Sequence, residues 1–142
     1  MTRPRTPAQS KLDHELILAA DRGRTSEMVR LLEAGADPNV KQMWNDEPII
    51  VQVAVWGEPA DVKLLLDHGA DINGADNEGL TALAAVLEYN TLDMADVLIA
   101  HGADINHQMS KGKSQPPWVI AIIQDLKSSS VGRTQYVLQR KP

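Results

Sequence analysis

Apolar positions along this chain come in short, interrupted blocks, each closed by the same polar phrase. The phrase reads Gly35-Ala36-Asp37-Pro38-Asn39, Gly69-Ala70-Asp71-Ile72-Asn73 and Gly102-Ala103-Asp104-Ile105-Asn106. Its glycines are spaced by 34 and then 33 residues, a period that marks stacked structural repeats. Within the blocks, small and large residues are sorted. Alanines 19, 20, 54 and 95 allow helices to approach closely, and leucines 31, 32, 65, 66 and 98 fill the space between neighbours. One such unit cannot bury its apolar face alone, so stability is expected to come from unit-to-unit interfaces. Ser10, ahead of Leu12 and Leu16, predicts the first helix start.

The segment between two copies of the phrase carries its own signals. Asp76-Asn77-Glu78-Gly79-Leu80-Thr81-Ala82-Leu83 combines an aspartate that can accept turn amides with a glycine free to take positive φ. Thr81 can then cap the following helix through its hydroxyl. With the recurring phrase, this segment resembles the ankyrin repeat, whose pattern here is D-x-x-G-x-T-P-L. Ala82 and Ala84 depart from its proline and histidine, and Asn90 stands for the glycine that ends its inner helix. The resemblance implies an all-α repeat solenoid, an ankyrin-like stack of helix-turn-helix units joined by β-hairpin loops.

The resemblance divides the chain into one domain, residues 1–142, with units at 10–39, 40–73, 74–106 and a degenerate cap at 107–142. The first unit lacks a hairpin but keeps both helices, Leu16, Ala19, Ala20 and Gly23 matching the inner one and Met28, Leu31, Leu32 and Gly35 the outer one. The second unit departs in its hairpin, Lys41 to Pro48. There Asn45 is expected at the glycine position, and Pro48 is the survivor of the Thr-Pro pair. Its inner segment, Ile49 to Trp56, is expected to hold the extra residue that makes the spacing 34. The last unit keeps apolar blocks at 118–123 and 136–138 around a lengthened loop, with Trp118 expected to seal it.

Composition narrows the function classes. No apolar run is long enough to cross a bilayer, and no apolar stretch follows the basic start as a secretion signal requires, so the cytoplasm is the expected compartment. The chain has no cysteine, which removes disulfides and thiolate chemistry. Residues 42–107 contain twelve carboxylates and one base, Lys63, a net charge of −11 within a total of −5. That block should repel phosphate backbones and attract a basic protein surface. It also keeps a small repeat protein in solution, and composition alone leaves both readings open.

No catalytic constellation stands out. The stretch His107 to Ser114 ends as Gly-Lys-Ser, but histidine occupies the first required glycine and no buried strand precedes it. His68 and His101 recur just before the repeat glycines, where they can bond carbonyls at helix ends. A metal site from His101 and His107 lacks further ligands. No enzyme, cofactor or metal is expected.

Ankyrin-like stacks offer hairpin tips and inner helices as a concave surface, so the resemblance implies a protein-binding module, an inhibitor, adaptor or immunity-type protein. A basic partner such as a toxin domain is the expected class, with no nucleic acid and no membrane. Counting from the repeat markers places Met43, Trp44, Asp46, Glu47, Trp56, Asn77, Glu78, Glu88 and Tyr89 on that surface. Tryptophan, tyrosine and methionine are enriched at interface centres. Trp44 could instead fold back on its hairpin, and Trp56 could turn inward. The alternative function is a structural subunit that packs on itself or on a permanent partner.

Overall fold

The computed structural model describes residues 5–89 and 92–104. The fourth unit, Trp118 and the Gly-Lys-Ser stretch lie outside these residues. The described residues form six helices in order: α1 (Pro7–Asp21), α2 (Thr25–Glu33), α3 (Ile49–Trp56), α4 (Pro59–Asp67), α5 (Ala82–Glu88) and α6 (Leu92–Ala100). They form three antiparallel pairs, α1 with α2, α3 with α4 and α5 with α6, and the inner helices α1, α3 and α5 stack on one another. The described residues contain no strand. Two isolated antiparallel bridges, Lys41 with Pro48 and Ala75 with Thr81, mark the hairpins. This is the helical repeat stack expected from the pattern.

The core follows the sorting of small and large residues. Leu16, Leu31, Ala54, Val62, Leu65, Leu87 and Leu98 are fully buried, with Ala19 and Ala95 nearly so. α3 packs against α1, α4 and α5, and α5 against α3 and α6; from Ile49 to Ala54 and Ala82 to Leu87 every residue is buried. Helices enclosed on all sides read as continuous apolar runs instead of amphipathic stripes.

The turns show why the recurring phrase recurs. Gly35, Gly69 and Gly102 take φ of 105°, 95° and 92° at the ends of the outer helices, a left-handed region that glycine enters without a Cβ penalty. The asparagines of the first two phrases, Asn39 and Asn73, then reach the next unit. Asn39 Oδ1 accepts the Asp71 N–H at 2.6 Å while its Nδ2 donates to the Gly69 carbonyl at 3.2 Å. Asn73 Oδ1 accepts the Asp104 N–H at 2.7 Å. Unit spacing is thereby pinned by side chain–backbone bonds as well as by packing.

Four expectations are corrected. The first helix starts at Pro7, not near Ser10, with Thr6 as N-cap: its hydroxyl accepts the Gln9 N–H at 3.1 Å. Proline at the first position has no N–H to satisfy and is preset for helix. The extra residue of the second unit lies in the hairpin, not in the inner helix. Bridge partners are 41 and 48 in that hairpin but 75 and 81 in the next, whereas both following outer helices start eleven residues after the helix cap, at Pro59 after Pro48 and at Leu92 after Thr81. As a result Asp46, not Asn45, takes the glycine conformation, with φ 54°. Pro48 stands at the cap position of Thr81, where it makes no side-chain capping bond.

Candidate functional site

The third-unit hairpin is built from the residues that signalled it. Asp76 Oδ1 accepts the N–H groups of Glu78 and Leu80 at 2.8 and 2.9 Å, and Gly79 turns with φ 87°. Thr81 caps α5 by accepting the Ala84 N–H at 3.3 Å. The second hairpin closes by Gln42 N–H to the Glu47 carbonyl at 2.9 Å and Asp46 N–H to the Gln42 carbonyl at 3.0 Å. The two tips are tied together: the Asn77 N–H donates to the Asn45 carbonyl at 3.0 Å.

These hairpins and the ends of the inner helices hold all the large apolar side chains that are exposed among the described residues. Met43 is 96% exposed, Trp44 76%, Trp56 75% and Tyr89 59%. Trp44 therefore does not fold back on its hairpin, and Trp56 does not turn inward. Trp56 closes α3 and Tyr89 follows α5 at the equivalent place, 33 residues on. Their ring centroids are 5.6 Å apart at an interplanar angle of 59°, a tilted pairing favoured by aromatic quadrupoles. Repeat periodicity thus turns two single aromatics into one surface.

The acidic candidates differ in environment. Asp46 and Glu88 are exposed, as is Asn77, whereas Glu47 and Glu78 are half-buried. Burial raises the pKa of Glu47 above its ordinary value. A hydrogen bond from Asn45 opposes that rise, and the negative charge of Asp76 in the next hairpin adds to it.

Sequence reasoning missed the opposite wall. With no hairpin in the first unit, α1 runs 15 residues and faces the second hairpin across a cleft of about 530 Å³, lined by Ile17, Asp21 and His14 on one side and Met43, Trp44 and Trp56 on the other. At its base lies a polar relay: Gln42 Nε2 donates to Gln52 Oε1 at 2.6 Å, and Gln52 Nε2 donates to Asp21 Oδ1 at 2.8 Å. Both glutamines are buried and Asp21 is exposed, so the relay delivers an oriented carboxylate to the cleft. Gln52, alone in the apolar run from Ile49 to Val55, was the available signal for a buried polar group, but its partners could not be read from the sequence.

Two of the three described histidines lie against backbone carbonyls. His68 Nδ1 and His101 Nδ1 lie 2.9 and 2.8 Å from the carbonyls of Leu64 and Val97. Among the described residues no cluster of histidines and carboxylates could hold a metal ion, and no helix is long and apolar enough to cross a membrane.

A stack of helix pairs with hairpin tips along one side defines a recognition scaffold, and the comparisons with known proteins agree. The model for ankyrin repeats, in three copies, matches residues 16–109. The chain belongs to the ankyrin repeat family, whose repeats mediate protein–protein interaction. It is 45% identical over 69 residues to cyclin-dependent kinase 4 inhibitor B of Mus musculus, covering 49% of this chain and 52% of that protein. Cyclin-dependent kinase inhibitor 2A of Homo sapiens is 47% identical over 66 residues, covering 46% and 41%. The ankyrin repeat and KH domain-containing protein mask-1 of Caenorhabditis elegans is 33% identical over 110 residues, 76% of this chain but 4% of that protein. The chain spans about half the length, or less, of these curated relatives.

Proposed function

We propose that the chain is a non-enzymatic protein-interaction module that inhibits or sequesters a partner protein in the cytoplasm, binding it through the concave face of hairpins and inner helices. The observation that carries this reading is that Met43, Trp44 and Trp56 line one cleft and Tyr89 packs against Trp56, these four being the large apolar side chains exposed among the described residues. Exposed apolar patches rimmed by polar groups mark interaction surfaces, and tryptophan and tyrosine anchor binding energy. Two of the relatives are by name inhibitors of kinases, which supports an inhibitory role. The −11 net charge of residues 42–107 favours a partner with a basic surface, such as a toxin domain masked by an immunity-type protein.

Affinity capture from the native cell tests this, using wild type, a Trp44→Ala/Trp56→Ala double variant and Lys63→Glu on the exposed side of α4. A partner retained by wild type and Lys63→Glu but lost by the folded double variant is the expected result. Loss by Lys63→Glu with retention by the double variant would move the site to the outer helices. A stable oligomer of the chain in place of a foreign partner would make it an assembly subunit instead.

A further inference from the structure

Within the concave face, the cleft between α1 and the second hairpin has a chemistry more specific than an apolar patch. Three elements converge on it: exposed indoles of Trp44 and Trp56, an aliphatic wall that includes Ile17, and the Asp21 carboxylate. Asp21 is exposed, yet its orientation is set from within by the Gln42–Gln52 relay, which engages Oδ1. A carboxylate held in place on a protein surface, beside two aromatic faces, matches a planar cation on an aliphatic stem. Guanidinium stacks on aromatic faces and bonds carboxylates in a fixed fork, while its methylenes cover apolar surface.

We propose that this cleft accepts an arginine side chain presented by an exposed segment of the partner, the guanidinium stacking on Trp44 or Trp56 and bonding Asp21. This rests on the concave-face reading above and narrows it to one residue type. The cleft also borders two cations of its own, Arg5 and Lys41. Arg5 is engaged in ion pairs with Asp13 and Asp37, which withdraws its charge from the cleft. With Arg5 paired, Lys41 and Asp21 remain as opposite charges on the lining, and the −11 net charge of residues 42–107 tips the field toward a cation.

The full chain is titrated with capped pentapeptides identical except at the central residue, arginine, citrulline, lysine or glutamate, and followed by the NMR signals of the tryptophan indole N–H groups. Trp44→Phe and Trp56→Phe assign those signals. The arginine peptide is expected to shift the Trp44 and Trp56 indoles saturably. Asp21→Asn, which keeps the carbonyl that Gln52 bonds, should weaken that binding roughly tenfold, as loss of a charge-assisted bond implies. Asp67→Asn on α4 should leave it unchanged. Indoles unmoved by the arginine peptide overturn the proposal, as does equal binding of citrulline or lysine. Preference for glutamate would assign the cleft to Lys41 and an acidic partner, and indoles already covered in a self-dimer would assign it to a second copy. If the arginine site fails while the partner is still lost only by the double variant, the concave-face reading stands without it. If the double variant retains the partner, that reading fails independently.

Discussion

The carboxylate of Asp13 accepts the backbone N–H of Asp37 at 2.8 Å, the task that Asn39 performs for Asp71 and Asn73 for Asp104. No asparagine precedes Asn39 in the sequence. The long α1 supplies the equivalent contacts: Asp13 bonds the Asp37 amide, and Gln9 Nε2 bonds the Gly35 carbonyl at 3.0 Å as Asn39 bonds Gly69. Gln9 Nε2 also reaches Asp13 at 2.7 Å, and Arg5 pairs with Asp13 from outside. In the first unit a helix thus takes the part that an asparagine plays at the other two joints.

Removing that stand-in should be costly. Asp13 is nearly fully buried, so Asp13→Ala leaves the Asp37 amide without its acceptor and is expected to cost about 1–3 kcal/mol in urea unfolding. Asp13→Asn retains a carbonyl and is the residue used at the other two joints, so its loss should be smaller. Equal losses would mean that the ion pair with Arg5 matters, not the acceptor.

Leu65 is fully buried in the middle unit, with packed units on both sides. Leu65→Ala should destabilise by about 2–5 kcal/mol, the range for a buried leucine whose site cannot collapse. Leu66, one residue on, is only half-buried, and Leu66→Ala should cost clearly less by the same denaturant measurement. A reversed order would mean that α4 presents a different face to the stack.

Gly57 joins α3 to α4 without positive φ, and its constraint is space. A Cβ there would lie 2.8 Å from the Val53 carbonyl oxygen and 3.1 Å from Asp61 Oδ2. That Asp61 oxygen accepts the Glu58 N–H at 3.0 Å as part of the capping box that starts α4. Gly57→Ala therefore has to displace backbone or break the cap, and a loss of about 1–3 kcal/mol in thermal or urea unfolding is expected. Wild-type stability would show that the α3–α4 junction yields freely.

Features fixed by one local rule were legible in the sequence. The repeat glycines with positive φ, the Asp76 turn and the Thr81 cap each follow from a single residue type at a set offset. The exposure of Trp44 and Trp56 was open and needed the structure. The extra residue of the second unit was misplaced because a spacing of 34 is the same whether the hairpin or the helix is longer. Only the hydrogen-bond register, Lys41 with Pro48 against Ala75 with Thr81, tells them apart. Trp56 and Tyr89 stand one period apart, so their ring contact was available from the same count that found the repeats. The Gln42–Gln52–Asp21 relay was not, because it joins residues from two units through tertiary packing.

Glu47 gives a pH signature to the contact between hairpins. Burial, with the nearby charge of Asp76, raises its folded pKa despite the Asn45 hydrogen bond. The folded chain then holds the proton to higher pH than the unfolded chain does. Between the unfolded and folded pKa values the native state binds more protons, so this group makes stability fall as pH rises through that window. Its ionisation penalty is fully present above the folded pKa and absent below the unfolded one. Glu47→Gln, which keeps an acceptor near Asn45 and removes the charge facing Asp76, should therefore be more stable than wild type above that folded pKa. The difference should shrink as pH falls through the folded pKa of Glu47 and level off in acid. Unfolding midpoints of both proteins measured across that range test it, and a stability difference that grows toward acid would mean that the Glu47 carboxylate stabilises the hairpin in its ionised form.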